Sequence, residues 1–269
     1  MFPQTVFLGL DLYYWMILIG VITAMIVFRM FSAQVGLSVK VFNLSIFVTV
    51  GAIILGYLSA VLFQSWYSFL DTGVFQWGVG ATFYGGLIGA VIVFLLLYFG
   101  AGHFLLKDKQ HIAQFNKMLS LIVPCIVVAH AFGRLGCLFD GCCYGAVTDS
   151  WIGIVMRGEK RIPIQFFESL FLFALFFVLL YLAVRKKNEY TASLYLIIYG
   201  IWRFFIEFAR DDDRGSSGIW FLTPSQLTAI LMILAGVALI FLYRNFLKKI
   251  YERAEVHEPQ IVPEQAEDE

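Results

Sequence analysis

The stretch CIVVAHAFGRLGCLFDGCC, residues 125–143, decides the fold. It continues an apolar run of the kind that crosses a bilayer, and it carries Arg134 inside that run. A second stretch, LYLIIYGIWRFFIEF at 194–208, repeats the situation with Arg203. A charged side chain at hydrocarbon depth costs roughly 3 kcal/mol or more, so it faces a polar cavity and meets an anionic partner. The two arginines therefore predict an intramembrane site for an anion, with phosphate the natural candidate.

The rest of the chain agrees with a membrane setting. Of 269 residues, 60% are hydrophobic and only 14% charged, where a soluble domain carries about a quarter charged residues. Several apolar runs reach the roughly 20 residues that a membrane helix needs. Seven spans are expected, at about 12–32, 42–64, 79–101, 119–138, 163–184, 192–209 and 223–245. The predicted fold class is all-α, a polytopic integral membrane protein with a small outer-face head. The segment from Tyr144 to Ile162 and the loop from Asp211 to Phe221 are assigned to that head by position.

Placing lysines and arginines on alternate sides puts 12 of 19 on one side and 5 on the other, the last two being Arg134 and Arg203. The positive-inside rule then sets the N-terminus outside and the C-terminus in the cytoplasm. The first run has no small-residue cleavage signature and reads as a retained span. Residues 1–252 form the expected membrane domain, and the acidic, proline-containing residues 253–269 a disordered cytoplasmic tail. Net charge is zero and no basic cluster has interleaved aromatics, so no nucleic-acid partner is expected.

The segment at 133–145 (GRLGCLFDGCCYG) combines a charge, four glycines and three thiols near the outer end of the fourth span. Its glycines serve either to break the helix and free N–H groups for an anion or as close packing points between helices. In Tyr199-x-x-x-Arg203-x-x-x-Glu207-x-x-Arg210, spacings of four and three place four polar side chains on one helical face. Glu207 then pairs with Arg203, as a helix tie, as a support that holds the guanidinium in place, or as both. Tyr84-Gly85-Gly86 opens the third span, a weak signal alone, and Glu168 enters the fifth span either as a site residue or as a carboxylate reaching back to the interface.

The motifs Y-G-G-L-I-G at 84–89, G-R-L-G with G-x-x-Y-G at 133–145, P-x-Q-x-x-E at 163–168, Y-x-x-x-R-F-x-x-E-F-x-R at 199–210 and L-T-P-S-Q-L at 222–227 occur in this order. The ordered set, spread over nearly all seven spans, resembles the prolipoprotein diacylglyceryl transferase family. The resemblance implies an enzyme of the bacterial inner membrane that moves the diacylglyceryl group of phosphatidylglycerol onto the cysteine of a lipobox, releasing glycerol phosphate. It implies phosphatidylglycerol, a prolipoprotein signal peptide and the lipid bilayer as partners, and no cofactor. Carried over position by position, it makes Arg134 and Arg203 the essential arginines, with Tyr199, Glu207, Arg210, Glu168, Gly85, Gly86 and Gly145 supporting substrate binding. Tyr13 or Tyr14 matches an aromatic of the first span.

The chain departs from the family pattern where protons are handled. Tyr84 stands where many members have histidine, Cys137 where they have asparagine, Cys142 where they have glutamate, and Tyr57 in place of an arginine of the second span. A phenol with a pKa near 10 is a poor base at neutral pH, which leaves Tyr84 and His130 as the candidates for proton transfer. His130 lies one turn before Arg134 and has an ordinary alternative as a hydrogen-bonding residue between helices. Cys137, Cys142 and Cys143 lack the paired C-x-x-C spacing of structural zinc sites, so no metal is expected and small packing residues are the default. A noncatalytic protein keeping an anionic-lipid pocket, for transport or thiol redox sensing, is the alternative function.

Overall fold

A computed structural model describes residues 6–78, 80, 82–211 and 221–250. In chain order its elements are β1 (Val6–Phe7), β2 (Leu10–Asp11), α1 (Leu12–Phe31), α2 (Val39–Thr72), α3 (Phe83–Leu105), α4 (Gln110–Ala113), α5 (Phe115–Asp140), β3 (Ile154–Met156), β4 (Glu159–Arg161), α6 (Ile164–Val184), α7 (Thr191–Ile206) and α8 (Pro224–Leu242). A 3₁₀ turn at Glu207–Ala209 extends α7, and a π-helical turn at Tyr243–Leu247 extends α8. Among the described residues seven helices are long and apolar enough to cross a membrane. Helix is the form that satisfies every backbone polar group inside a short segment, as lipid demands.

Several span boundaries differ from the sequence reading by about a helical turn or more, among them the end of the second span and the start of the third. The second helix runs on past residue 64 to Thr72, because Gln64, Ser65 and Ser68 are polar but not helix-breaking, and it stops at Gly73 with φ 72°. The third begins at Phe83 rather than near 79, since Gly78 (φ 76°) and Gly80 (φ 135°) hold backbone conformations outside the helical region. The expected tail at 253–269 and most of the loop at 211–221 lie outside the described residues.

The chain divides into two compact units. One is built on Gly36–Met118. Its core is the antiparallel pair α2 and α3, brought close by small residues: Cβ atoms added at Gly56 and Gly86 would lie 2.7 Å from the Ala90 Cβ and 3.1 Å from the Ala60 Cβ. Ser59 donates to the Gly85 carbonyl at 3.0 Å. At the other end of α3, buried Tyr98 donates to the His111 carbonyl at 2.9 Å, and burial holds His111 below the ordinary histidine range. Lys40 donates to Asp108 at 3.0 Å and so holds that carboxyl below its usual range.

The other unit joins the N-terminal segment through Val35 to Leu119–Leu247. In it α1 meets α5 at Gly20 and Gly136, where added Cβ atoms would lie 2.9 Å from the Phe132 Cβ and 3.1 Å from the Tyr13 ring. Ser169 of α6 donates to the Ala131 carbonyl of α5 at 2.9 Å. A short antiparallel hairpin, β3 with β4, turns through Arg157 (φ 50°) and Gly158 (φ 87°) within the segment expected to form a head.

Helices α7 and α8 lie against each other along most of their length. Gly200 and Gly236 permit the approach: a Cβ at Gly236 would sit 2.7 Å from Ile197 Cγ1 and 2.9 Å from the Ser193 carbonyl oxygen. Backbone cannot yield as a flexible side chain does, so Gly236→Ala should destabilise the fold by about 1–3 kcal/mol through overpacking. A thermal midpoint in detergent that falls for Gly236→Ala but not for Gly100→Ala, where nothing lies within 4 Å, is the expected result.

Candidate active site

The second unit brings three segments to one buried network. Helix α5 carries His130 and Arg134 one turn apart on one face. Helix α6 starts at Pro163, whose fixed φ suits a helix entry, and buries Gln165 and Glu168 in its first turns. Helix α7 and the following 3₁₀ turn carry Tyr199, Arg203, Glu207 and Arg210. The start of α8 is fixed by a capping box, with Thr223 accepting from the Gln226 N–H at 3.2 Å and Gln226 Oε1 accepting from the Thr223 N–H at 3.0 Å.

Arg134 Nε lies 3.1 Å from Glu168 Oε2, with the arginine side chain 15% exposed and the carboxylate fully buried. Tyr199 donates to the other carboxylate oxygen at 2.7 Å. Glu168 therefore turns inward to Arg134 and Tyr199 and does not reach back to the interface. Arg203 Nη2 is 2.8 Å from Glu207 Oε2 and donates to Ser225 Oγ at 2.7 Å. Glu207 also accepts from Thr223 at 3.0 Å and lies 3.6 Å from Arg210 Nε. Tyr199 and Arg203 lie one turn apart on α7, so the two sets of contacts share that helix.

Arg134 and Arg203 each face a buried carboxylate, and Arg210 lies 3.6 Å from Glu207. Arg203 Nη1 is buried with no hydrogen-bond partner among the described residues. An unpaired N–H at that depth costs about 1–3 kcal/mol, and an oxyanion is a ligand that satisfies a guanidinium donor of this kind.

His130 stands edge-on to Tyr199, ring centroids 5.1 Å apart, and Tyr195 stacks on Tyr199 at 5.6 Å. Gly145 is buried where its strand-like segment bridges to Arg210, and a Cβ there would meet Ile164 at 2.7 Å and the Ala209 carbonyl at 2.8 Å. This holds the end of α7 against the start of α6. Gly85 and Gly86 belong to the unit built on Gly36–Met118, where they serve as packing points against Phe63 and Ala60. The Tyr84 side chain lies outside the described residues. Of the two aromatics in the first span, Tyr13 is half-buried against Gly136 and Tyr14 is exposed.

The glycine-rich segment behaves differently from one of its two sequence readings. Helix α5 continues through Gly133 and Gly136 and ends only at Asp140. Gly141 (φ 68°) then closes it, its N–H bonding to the Leu138 carbonyl at 3.2 Å and the Cys142 N–H to the Cys137 carbonyl at 3.1 Å. These are the two bonds of a Schellman ending, so the N–H groups expected to be freed for an anion already have carbonyl partners. The same ending draws Cys137 and Cys142 together, and the Sγ atoms of Cys137, Cys142 and Cys143 all lie within 4.8 Å of one another. Hydrogen bonds from Cys137 and Cys142, with Arg210 adding to them, hold the Cys143 thiol below the ordinary cysteine range.

Ser225 and Thr223 are site neighbours that the sequence reading did not assign, although the T-P-S-Q capping signature that places them was visible. Gln165, buried, donates to the Cys142 carbonyl and ties the thiol loop to α6. Arg161 lies 4.4 Å over the Tyr144 ring and pairs with Asp211 at 2.8 Å, bracing the hairpin.

Fold and site together define a multi-pass helical membrane protein with a buried cluster of arginines and carboxylates. The chain belongs to the prolipoprotein diacylglyceryl transferase family, whose model matches residues 3–242. It is 36% identical over 245 residues to phosphatidylglycerol–prolipoprotein diacylglyceryl transferase 2 of Clostridium perfringens, covering 86% of this chain and 91% of that one. A second relative, the phosphatidylglycerol–prolipoprotein diacylglyceryl transferase of Clostridium tetani, is 32% identical over 241 residues, covering 85% and 92%.

Proposed function

We propose that this chain transfers the diacylglyceryl group of phosphatidylglycerol to the thiol of a lipobox cysteine and releases glycerol phosphate. The observation that carries the reading is the buried Arg203 Nη1, which has no hydrogen-bond partner among the described residues while Nη2 of the same guanidinium is held by Glu207 and Ser225. A phosphodiester headgroup offers that donor an anionic oxygen. When the acceptor sulfur attacks the glycerol carbon bonded to the phosphate ester oxygen, negative charge grows on the departing phosphate. Guanidinium donors fixed in a low-dielectric site stabilise that charge more than they stabilise the bound diester, which lowers the barrier.

Arg134 and Arg203 are the residues assigned to the phosphate in this reading. Glu168, Tyr199, Glu207 and Ser225 orient them, and Arg210 lies beside Glu207. Tyr84 and His130 are the protein groups assigned to the acceptor proton. Gly85, Gly86 and Gly145 act through the close approaches they permit. The lysine and arginine distribution sets the N-terminus outside and the C-terminus in the cytoplasm, in the bacterial inner membrane.

Full-length protein reconstituted with phosphatidylglycerol and a lipobox peptide should produce a thioether-linked diacylglyceryl peptide and one glycerol phosphate per product. Mass spectrometry of the peptide reads the first and enzymatic phosphate assay the second. Tight binding of phosphatidylglycerol with neither product would overturn the reading in favour of a noncatalytic lipid-binding protein.

A further inference from the structure

Three thiols meet at the outer end of α5, beside the guanidinium cluster. Cys137 lies one turn beyond Arg134, and the Schellman ending folds Cys142 back over it. Cys143 follows in the left-handed region at φ 61°, a conformation uncommon for a residue with a side chain. It turns the third thiol toward the other two, so that the three Sγ atoms form a triangle with every edge within 4.8 Å. Arg210 bridges by its backbone to Gly145, two residues past Cys143, and its Nε lies 3.6 Å from Glu207. The thiols therefore lie close in the chain to the segment that meets Arg210.

We propose that Cys137, Cys142 and Cys143 form a three-thiolate zinc site whose fourth position takes the acceptor thiol of the lipobox peptide. A tetrahedral ion with Zn–S bonds near 2.3 Å needs sulfurs about 3.8 Å apart, so closure from the observed triangle asks for no more than about 1 Å of movement. A disulfide would use two of the three thiols and leave the third without a role. Three protein ligands with an open position is the arrangement of catalytic rather than structural zinc. The expectation of paired C-x-x-C spacing applies to four-ligand structural sites and does not bear on this one.

Such a site answers a chemical need that rests on the transferase reading above. A peptide thiol has to be deprotonated before it is a good nucleophile, and a metal makes it acidic enough that a phenol or a lone histidine need only pass the proton on to water. A thiol coordinated to zinc loses its proton outright. In the step proposed, the peptide S–H gives its proton to water as the Zn–S bond forms. The sulfur lone pair then attacks the glycerol carbon, the C–O bond breaks with its electron pair passing to the phosphate oxygen, and glycerol phosphate leaves carrying the added charge. The thioether, a weaker ligand than a thiolate, dissociates from the metal. Three protein thiolates leave the loaded site anionic, and Arg210 offsets part of that charge.

The test uses the full-length protein purified under reduction in phosphatidylglycerol nanodiscs, loaded separately with Zn²⁺ and Co²⁺. Wild type should keep about one zinc per chain after desalting, and the C137S/C142S/C143S variant none. The cobalt form should display sulfur-to-metal charge-transfer absorption that changes on adding a cysteine-containing lipobox peptide but not its serine counterpart. Chelation of the wild-type protein, a check that needs no folded variant, should lower transfer about 100-fold, with recovery on adding Zn²⁺. Absence of stoichiometric metal, a disulfide within the trio, or full transfer by metal-free protein would overturn the zinc site and leave the transferase reading standing. A cobalt spectrum that responds to the peptide without any product would support the site and defeat the transferase reading.

Discussion

Arg134→Ala should reduce transfer by about 100- to 1000-fold, the range seen when one preorganised donor to a developing oxyanion is removed. The same change strands Glu168, which is fully buried and has Arg134 Nε 3.1 Å away as its ion-pair partner. Breaking a buried pair from one side costs about 3–5 kcal/mol, because the remaining charge is left uncompensated. A single alanine variant therefore confuses lost chemistry with lost stability. The double variant R134A/E168Q separates them: neutralising the carboxylate should restore most of the thermal midpoint and none of the transfer. Arg134→Lys keeps the charge but cannot reproduce the planar fork, so it should fold normally and still transfer poorly. Near wild-type turnover by R134A/E168Q would remove Arg134 from the reacting centre.

The membrane architecture was readable because lipid enforces a simple rule, and the seven apolar runs obey it. Where the reading slipped, local chemistry was ambiguous. Gln64–Ser68 has the polarity of a loop, yet α2 passes through it, because helix continues beyond the hydrocarbon wherever nothing breaks it. The two three-residue strands of the hairpin are too short for a period-two pattern, and only the Arg157-Gly158 turn marked them. Within the site, the Arg203–Glu207 pair followed from a spacing of four on one helix. The Arg134–Glu168 pair did not, because it joins two helices and no local periodicity encodes it. The role of Ser225 is not legible from its own motif, since its partner Arg203 lies on the preceding helix. The thiol triangle depends on Gly141 ending α5 one residue before Cys142, a matter of backbone geometry rather than of cysteine spacing.

Arg203 should tolerate even its nearest substitute badly. Its Nη2 is committed to Glu207 at 2.8 Å and Ser225 at 2.7 Å, which fixes the plane of the guanidinium, while buried Nη1 has no protein partner among the described residues. Two nitrogens thus divide the work, one holding orientation and one left for the ligand. Lysine offers a single nitrogen and cannot do both. Arg203→Ala should lose about 100-fold or more in transfer, and Arg203→Lys should remain well below wild type although it keeps the charge. Ser225→Ala removes one orienting hydrogen bond worth about 1 kcal/mol, for an expected loss of about five-fold. The order of the three is the diagnostic, read as initial rates of peptide modification at saturating lipid. If Ser225→Ala fell as far as Arg203→Ala, the serine would itself contact the substrate. If Arg203→Lys matched wild type, the unpartnered nitrogen would have no part in gripping the phosphate, because charge alone would suffice.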